Sequence, residues 1–253
     1  MENIKKFCVV SCPVATRSGY GGRSRDFVRA LIKSKPEWDV KILSQRWGNT
    51  SMDALVAGVD DDLLSRIIVE KTDRKPNIWI QISVPNEFQP VGDYNIGVTA
   101  GVETTIMPPE CLEGINRMDK ILTSSQFSKD VMKASIYDKK DEKTNALISK
   151  LELSTNVEVL FEGIDTNIYD NKKPSEPRVD EVLSSIDESF CYLFVGHWLK
   201  GDFGHDRKNI GGLLWNFLNV FKGKKNPPAL ILKTSRGNTS LIDRVGLRDL
   251  IKE

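Results

Sequence analysis

Thr16-Arg17-Ser18-Gly19-Tyr20-Gly21-Gly22-Arg23-Ser24-Arg25 is the stretch on which the reading of this chain turns. It follows an apolar run, Phe7-Cys8-Val9-Val10, and opens a helix-like run whose apolar residues are Phe27, Val28, Leu31 and Ile32. Strand, glycine-rich loop and helix in that order suit an anion. Glycine lets the backbone approach a ligand closely, and the first turn of a helix offers N–H groups to negative charge. The spacing is Gly-x-Gly-Gly, with Ser24 where a dinucleotide fingerprint carries its third glycine. A plainer reading stands beside it, a surface loop that only turns into a helix.

The next strand, Trp38-Asp39-Val40-Lys41-Ile42-Leu43, ends in Ser44-Gln45-Arg46. A nicotinamide site wants an acid there for the ribose, so the chain does not read as an NAD dehydrogenase. Asp60-Asp61-Asp62 precedes Leu63-Leu64 and reads as an exposed turn and helix start rather than a metal site. Residues 66–69 suggest a short strand. Asn77 to Ser83 and Asn95 to Thr99 read as strands, with Pro85 closing the first of them. Pro108 and Pro109 start a helix through Met118, because proline is tolerated in a first turn. Lys120 to Thr123 is again a strand, and Ser124 or Ser125 caps the helix carrying Phe127, Val131 and Met132. Residues 138–152 are polar and lysine-rich, an exposed insertion or helix. Asn156 to Phe161 closes this set as a strand.

From Tyr169 to Ser189 the chain is rich in Lys, Pro, Ser, Asp and Glu, a linker with a short helix near Val179–Ile186. Phe190 to Gly196 reads as a buried strand, followed by a loop at 197–206 containing Gly201 and Gly204. A helix from Asn209 to Lys222 aligns Leu213, Leu214, Phe217, Leu218 and Phe221 on one face. Ala229 to Lys233 is a strand, and a last helix starts at Leu241. Strands alternating with helices imply parallel sheets and an α/β architecture. The expected division is residues 1–170, a linker at 171–188, and a smaller unit at 189–253.

The chain has 253 residues with formal net charge +1, so its bulk argues against nucleic acid and anionic membrane surfaces as partners. No apolar run approaches the roughly 20 residues of a membrane span. The N-terminus makes a poor signal peptide, and the chain reads as cytoplasmic. Its four cysteines form no Cys-x-x-Cys pair and there are two histidines, so a zinc site is not expected.

Several local patterns together resemble the retaining glycosyltransferases of family 4, whose GT-B fold sets two Rossmann-like domains face to face across a cleft. Gly19-Tyr20-Gly21-Gly22 is similar to the family's loop after its first strand. Glu103-Thr104-Thr105-x-x-Pro108-Pro109, then Asn116-x-x-Asp119-Lys120-Ile121-Leu122-Thr123-Ser124-Ser125-Gln126-Phe127, resembles a family run in order and spacing. Val159 to Asp165 is similar to the segment closing the family's N-terminal domain, with Glu162 in place of Asn. Phe194-Val195-Gly196-His197-Trp198, then Arg207-Lys208-Asn209, resembles the opening of its donor-binding domain.

This resemblance implies a Rossmann-like N-terminal acceptor-side domain and the first part of a donor-side domain. The implied reaction moves a hexose from a nucleotide sugar to a glycan, lipid or protein acceptor with retention of configuration. The donor's diphosphate leaving group would be met by Gly21, Gly22, His197, Arg207, Lys208 and Lys233, and the acceptor side would include Arg23, Glu103 and Thr104. No cofactor or metal is expected, since the nucleotide sugar is itself the substrate. His197 stands where many members carry a phosphate-binding arginine. The family's later glutamate pair does not occur before Glu253, so the 253-residue chain is expected to be inactive alone. The alternative is a non-catalytic acceptor-binding module, or an inactive partner subunit with a vestigial donor domain.

Overall fold

The structure, a computed structural model, describes residues 5–70, 73–141, 143–198, 206–236 and 240–252. The chain divides into two compact units, one of Met1–Gly48 with Met52–Asp165, the other of Thr166–Glu253 with Asn49–Ser51.

The first unit is a six-stranded sheet with helices on it. Its strands are β1 (Phe7–Cys12), β2 (Asp39–Ser44), β3 (Ile78–Ile82), β4 (Tyr94–Thr99), β5 (Lys120–Thr123) and, after a hairpin, β8 (Asn156–Val159). They lie in the order β2-β1-β3-β4-β5-β8, and every pairing is parallel. The helices are α1 (Gly19–Ser34), α2 (Asp61–Leu64), α3 (Pro109–Asn116) and α4 (Gln126–Ala134). This is a Rossmann-like α/β fold.

All six residues of β1 are buried, as a strand covered on both faces requires. Alternation sends Cys8, Val10 and Cys12 to one face, with Val28 of α1, Val40, Ile42, Ile80, Ile82, Val98 and Leu63. Phe7 and Val9 go to the other, with Trp79, Phe88, Ile115 of α3, and Val131 and Met132 of α4. Burying each such side chain contributes roughly 1.5–3 kcal/mol, so the two layers together dominate this unit's stability. The chain leaves β1 for β2 on one side of the sheet and then starts β3 on the other. That reversal marks the place, beyond the carboxyl ends of β1 and β3, where open α/β sheets form a ligand crevice.

Three expectations for this unit are corrected. The glycine run is no loop: Gly19 to Gly22 form the first turn of α1, with Ser18 as its cap. Residues 138–152 are an exposed insertion, as one of the two readings had it, but no helix: they form the antiparallel hairpin β6 (Tyr137–Lys140) and β7 (Leu147–Leu151), with an irregularity at Lys139/Lys140. Both hairpin faces are largely exposed, so no apolar alternation marks it. Its turn is held by Asp141, which accepts hydrogen bonds from the amides of Lys143 and Thr144 and from the Thr144 hydroxyl. Residues 66–69 make only a single parallel bridge, Ile67 to Ile42.

The second unit carries α5 (Pro177–Ser184), β9 (Cys191–His197), α6 (Ile210–Phe221), β10 (Ala229–Ser235) and α7 (Leu241–Lys252). β9 and β10 pair in parallel as a two-stranded sheet. Its core gathers Trp198, Ile210 and Leu247, with Phe194 and Leu214 packed against them, and Tyr192 meets Phe217 and Phe221 of α6 edge-on or tilted. The expectation of a buried β9 is corrected. Leu193 and Val195 are 65% and 62% exposed, because helix α6 covers the opposite face, that of Tyr192 and Phe194. The loop at 197–206 is described only at His197, Trp198 and Asp206; Gly201, Gly204 and His205 lie outside the described residues. Among the described residues, no helix is long and apolar enough to cross a membrane.

Candidate functional site

The candidate site of the first unit lies at the carboxyl edge of its sheet, and the turn between β1 and α1 builds it. Pro13 to Thr16 fold back so that the Thr16 amide and hydroxyl both donate to the Pro13 carbonyl, at 3.0 and 2.9 Å. The Arg25 guanidinium, on the next turn of α1, donates to the Val14 and Thr16 carbonyls at 2.8 and 2.9 Å. The Ser18 hydroxyl accepts from the Gly21 amide at 2.9 Å, and the Ser18 carbonyl accepts from the Gly22 amide at 2.9 Å. The helix cap therefore engages both amides expected to cradle a phosphate. Gly21 owes its identity to packing instead. A Cβ there would stand 2.2 Å from the Thr16 carbonyl oxygen.

Tyr20, between those glycines, reaches across the edge. Its hydroxyl lies 3.3 Å from Thr99 Oγ1 at the end of β4 and accepts from the Ala100 amide at 3.1 Å. Its ring stacks on Trp47, just past β2, with centroids 4.1 Å apart and planes at 25°. Gln45, beside Trp47 in the chain, donates to the buried Ser11 hydroxyl at 2.5 Å and anchors that segment to β1. The carboxyl ends of β1, β2 and β4 are thus joined by one tyrosine and one tryptophan. Gly101, in the left-handed region at φ +88°, then turns the chain under Ser128, whose hydroxyl would overlap any Cβ there.

Glu103 and Thr104 follow that turn. Both are exposed, and the Thr104 hydroxyl donates to the Ile106 carbonyl at 2.8 Å. Arg23, expected on the acceptor side, has a partner from the chain itself. Its Nη1 pairs with Glu162, and its Nη2 lies 3.5 Å from the Leu160 carbonyl. Its side chain is 11% exposed against 50% for Glu162. Burial lowers the Arg23 pKa from the usual arginine value, while the nearby Tyr20 works the other way. Arg17 pairs with Asp53 at 2.8 Å. Tyr20 and Trp47 escaped sequence reading because a lone tryptophan defaults to the core, and no local pattern marks its stacking partner.

The remaining candidates belong to the second unit. His197 ends β9, and its Nδ1 lies 2.9 Å from the Ser235 hydroxyl at the end of β10. Arg207 and Lys208 are exposed at the start of α6. The buried Asp206 carboxylate accepts from the amides of Lys208 at 3.1 Å and Ile210 at 3.0 Å, and the Asn209 side chain accepts from Gly212 at 3.2 Å. The helix dipole at this end is therefore met by an internal anion. Lys233 pairs in register with Val195, two residues before the end of β10. Alternation puts it on the same face as Val195, His197 and Ser235, one pleat back from the strand ends. Comparison with protein-family models gave no match, and no curated protein matched the chain.

Proposed function

We propose that the chain acts on carbohydrate as a retaining hexosyltransferase of the GT-B kind, with the acceptor taken by the first unit and the nucleotide sugar by the second. One observation carries this reading. The Tyr20 hydroxyl ties the glycine run to the Thr99–Ala100 turn that leads into Glu103 and Thr104. Two stretches about eighty positions apart, each resembling the same family, thereby meet at one sheet edge, beside the crevice that strand order marks for ligands. The Tyr20–Trp47 stack offers an aromatic surface with a polar rim, which suits a sugar ring's C–H face and hydroxyls. Glu103, exposed beyond it, is the carboxylate of a type that accepts an acceptor hydroxyl's hydrogen bond. In the second unit Arg207, Lys208, His197 and Lys233 are the groups to meet the diphosphate as its charge grows in the transition state.

A second reading is favoured by Asp206. Its carboxylate engages amides at the start of α6 that would otherwise attract phosphate. The chain would then be a saccharide-binding module without transfer. Titrating the protein with UDP- and GDP-hexoses and with neutral oligosaccharides, while following tryptophan fluorescence, separates these readings. The Trp47→Phe variant assigns the signal among five tryptophans. Transfer predicts binding of both classes and release of nucleoside diphosphate in the presence of acceptor. A module predicts saccharide binding alone. Binding of neither class rejects both.

A further inference from the structure

We infer that Glu162 sets the charge selectivity of the sheet edge: with its carboxylate on Arg23, the edge takes an uncharged polyol and turns away a phosphorylated or carboxylated one. The inference rests on the carbohydrate reading above and narrows it to a substrate class. Its basis is the state of every arginine in the Thr16–Arg25 run. Arg17 is matched by Asp53, Arg25 is fixed on the carbonyls of Val14 and Thr16, and Arg23 is matched by Glu162. Of the three arginines in the run, two thus meet a carboxylate and the third is held on backbone carbonyls.

The Arg23–Glu162 pair is more buried than Arg17–Asp53, whose two side chains are both half exposed. The guanidinium is almost wholly withdrawn from water, so it requires a counter-ion. The carboxylate that supplies one is half exposed and sits on the chain just after β8, at the edge that also carries Tyr20. A substrate anion arriving there would have to displace Glu162 or share Arg23 with it, and two carboxylate-like charges at one cation repel. A hydroxyl meets no such opposition. It can donate to Glu162 and accept from a guanidinium N–H. Removing only the carboxylate charge converts the same edge into an anion site, because a buried, uncompensated arginine recruits an anion from solution.

Inorganic phosphate is the probe. Titrated into the full chain while the amide signals of Tyr20–Arg23 and Leu160–Glu162 are followed by NMR, it is expected to give no saturable shift at millimolar concentration. Glu162→Gln is expected to gain saturable phosphate binding at those amides, tighter than wild type by about tenfold or more, the scale of one charge-assisted contact. Adding Arg23→Met to Glu162→Gln should abolish that gain. Glu162→Ala, with a melting curve matching wild type, serves if Glu162→Gln perturbs the fold. Saturable phosphate binding by wild type that Arg23→Met removes overturns the inference, as does a folded Glu162→Gln or Glu162→Ala protein with no gain. Phosphate binding involves neither sugar nor transfer. Failure of the carbohydrate reading would therefore appear in the saccharide titrations and leave this readout unchanged.

Discussion

A methyl group on Gly21 would stand 2.2 Å from the Thr16 carbonyl oxygen and 2.6 Å from its hydroxyl, atoms that the Pro13–Thr16 turn and Arg25 hold in place. One residue on, a Cβ at Gly22 would meet nothing closer than Arg25 Nη2 at 3.9 Å. Gly21→Ala should therefore destabilise the protein by about 1–3 kcal/mol through overpacking. Gly22→Ala should stabilise it by about 0.5–1 kcal/mol, the helix-interior advantage of alanine. Urea denaturation of the two variants tests the contrast. Equal effects would contradict the packing difference between the two positions.

Tyr20→Phe keeps the stack on Trp47 but deletes the hydroxyl that serves Thr99 and Ala100. Thr99 is fully buried and keeps the Gly101 amide as a partner, so losing Tyr20 should cost about 0.5–1.5 kcal/mol. Trp47→Ala removes only the stacked ring, worth about 0.5–1.5 kcal/mol beyond its area. The two variants should thus separate: Tyr20→Phe chiefly lowers the melting temperature, and Trp47→Ala chiefly weakens saccharide binding. Calorimetry and the fluorescence titration read them out.

Acid stability should depend on Asp60. Burial pushes its carboxyl pKa up, but the Val56 amide and the Arg29 guanidinium outweigh burial and bring it below the ordinary 3.8. A carboxylate with a depressed folded pKa contributes stability above its unfolded pKa and loses it as pH falls through the folded one. Unfolding free energy should therefore drop as pH is lowered below about 4. Asp60→Asn, which keeps the shape and loses the charge on Arg29, should make that limb shallower and cost about 1–3 kcal/mol at neutral pH. An unchanged acid limb would remove Asp60 from this account.

The alkaline side has its own marker. Burial in the sheet raises the thiols of Cys8 and Cys12 from 9.0 to about 12; at Cys12, hydrogen bonds with Ser24 and Val14 oppose the rise. A raised folded pKa means full stability below the unfolded value and loss between there and the folded one. Each thiol should contribute a decline of about 1.4 kcal/mol per pH unit between roughly pH 9 and 12. Reaction with a disulfide reagent at pH 8 should be slow at both residues until urea unfolds the chain. Rapid labelling of Cys8 or Cys12 in the folded protein would contradict the burial.

Much of the first unit was legible because element type is a local property. Phe7–Val10 is an unbroken apolar run, Pro109 stands where a helix can begin, and Ser125 caps α4 through its hydroxyl. Each follows from a few neighbouring residues. The hairpin at Tyr137–Leu151 was not legible, because both of its faces meet water and no apolar alternation records the strands. Exposure of β9 was not legible either, since an apolar run says what a strand can bury and nothing about what covers it.

The site divides in the same way. Thr16 to Arg25 by itself determined that a stretch rich in glycine and arginine leads from the first strand into the first helix. What each residue does there was decided only by tertiary structure. Gly21 accommodates Thr16, Gly22 completes a cap with Ser18, Tyr20 reaches Thr99 and stacks on Trp47, and Arg23 meets a carboxylate on the chain leaving β8. The physical reason is range. Backbone dihedrals, caps and apolar periodicity are fixed by neighbours a few residues apart. Which charge neutralises which, and which ring lies on which, depends on the order and register of six parallel strands, and that order brings together residues as far apart as Arg23 and Leu160.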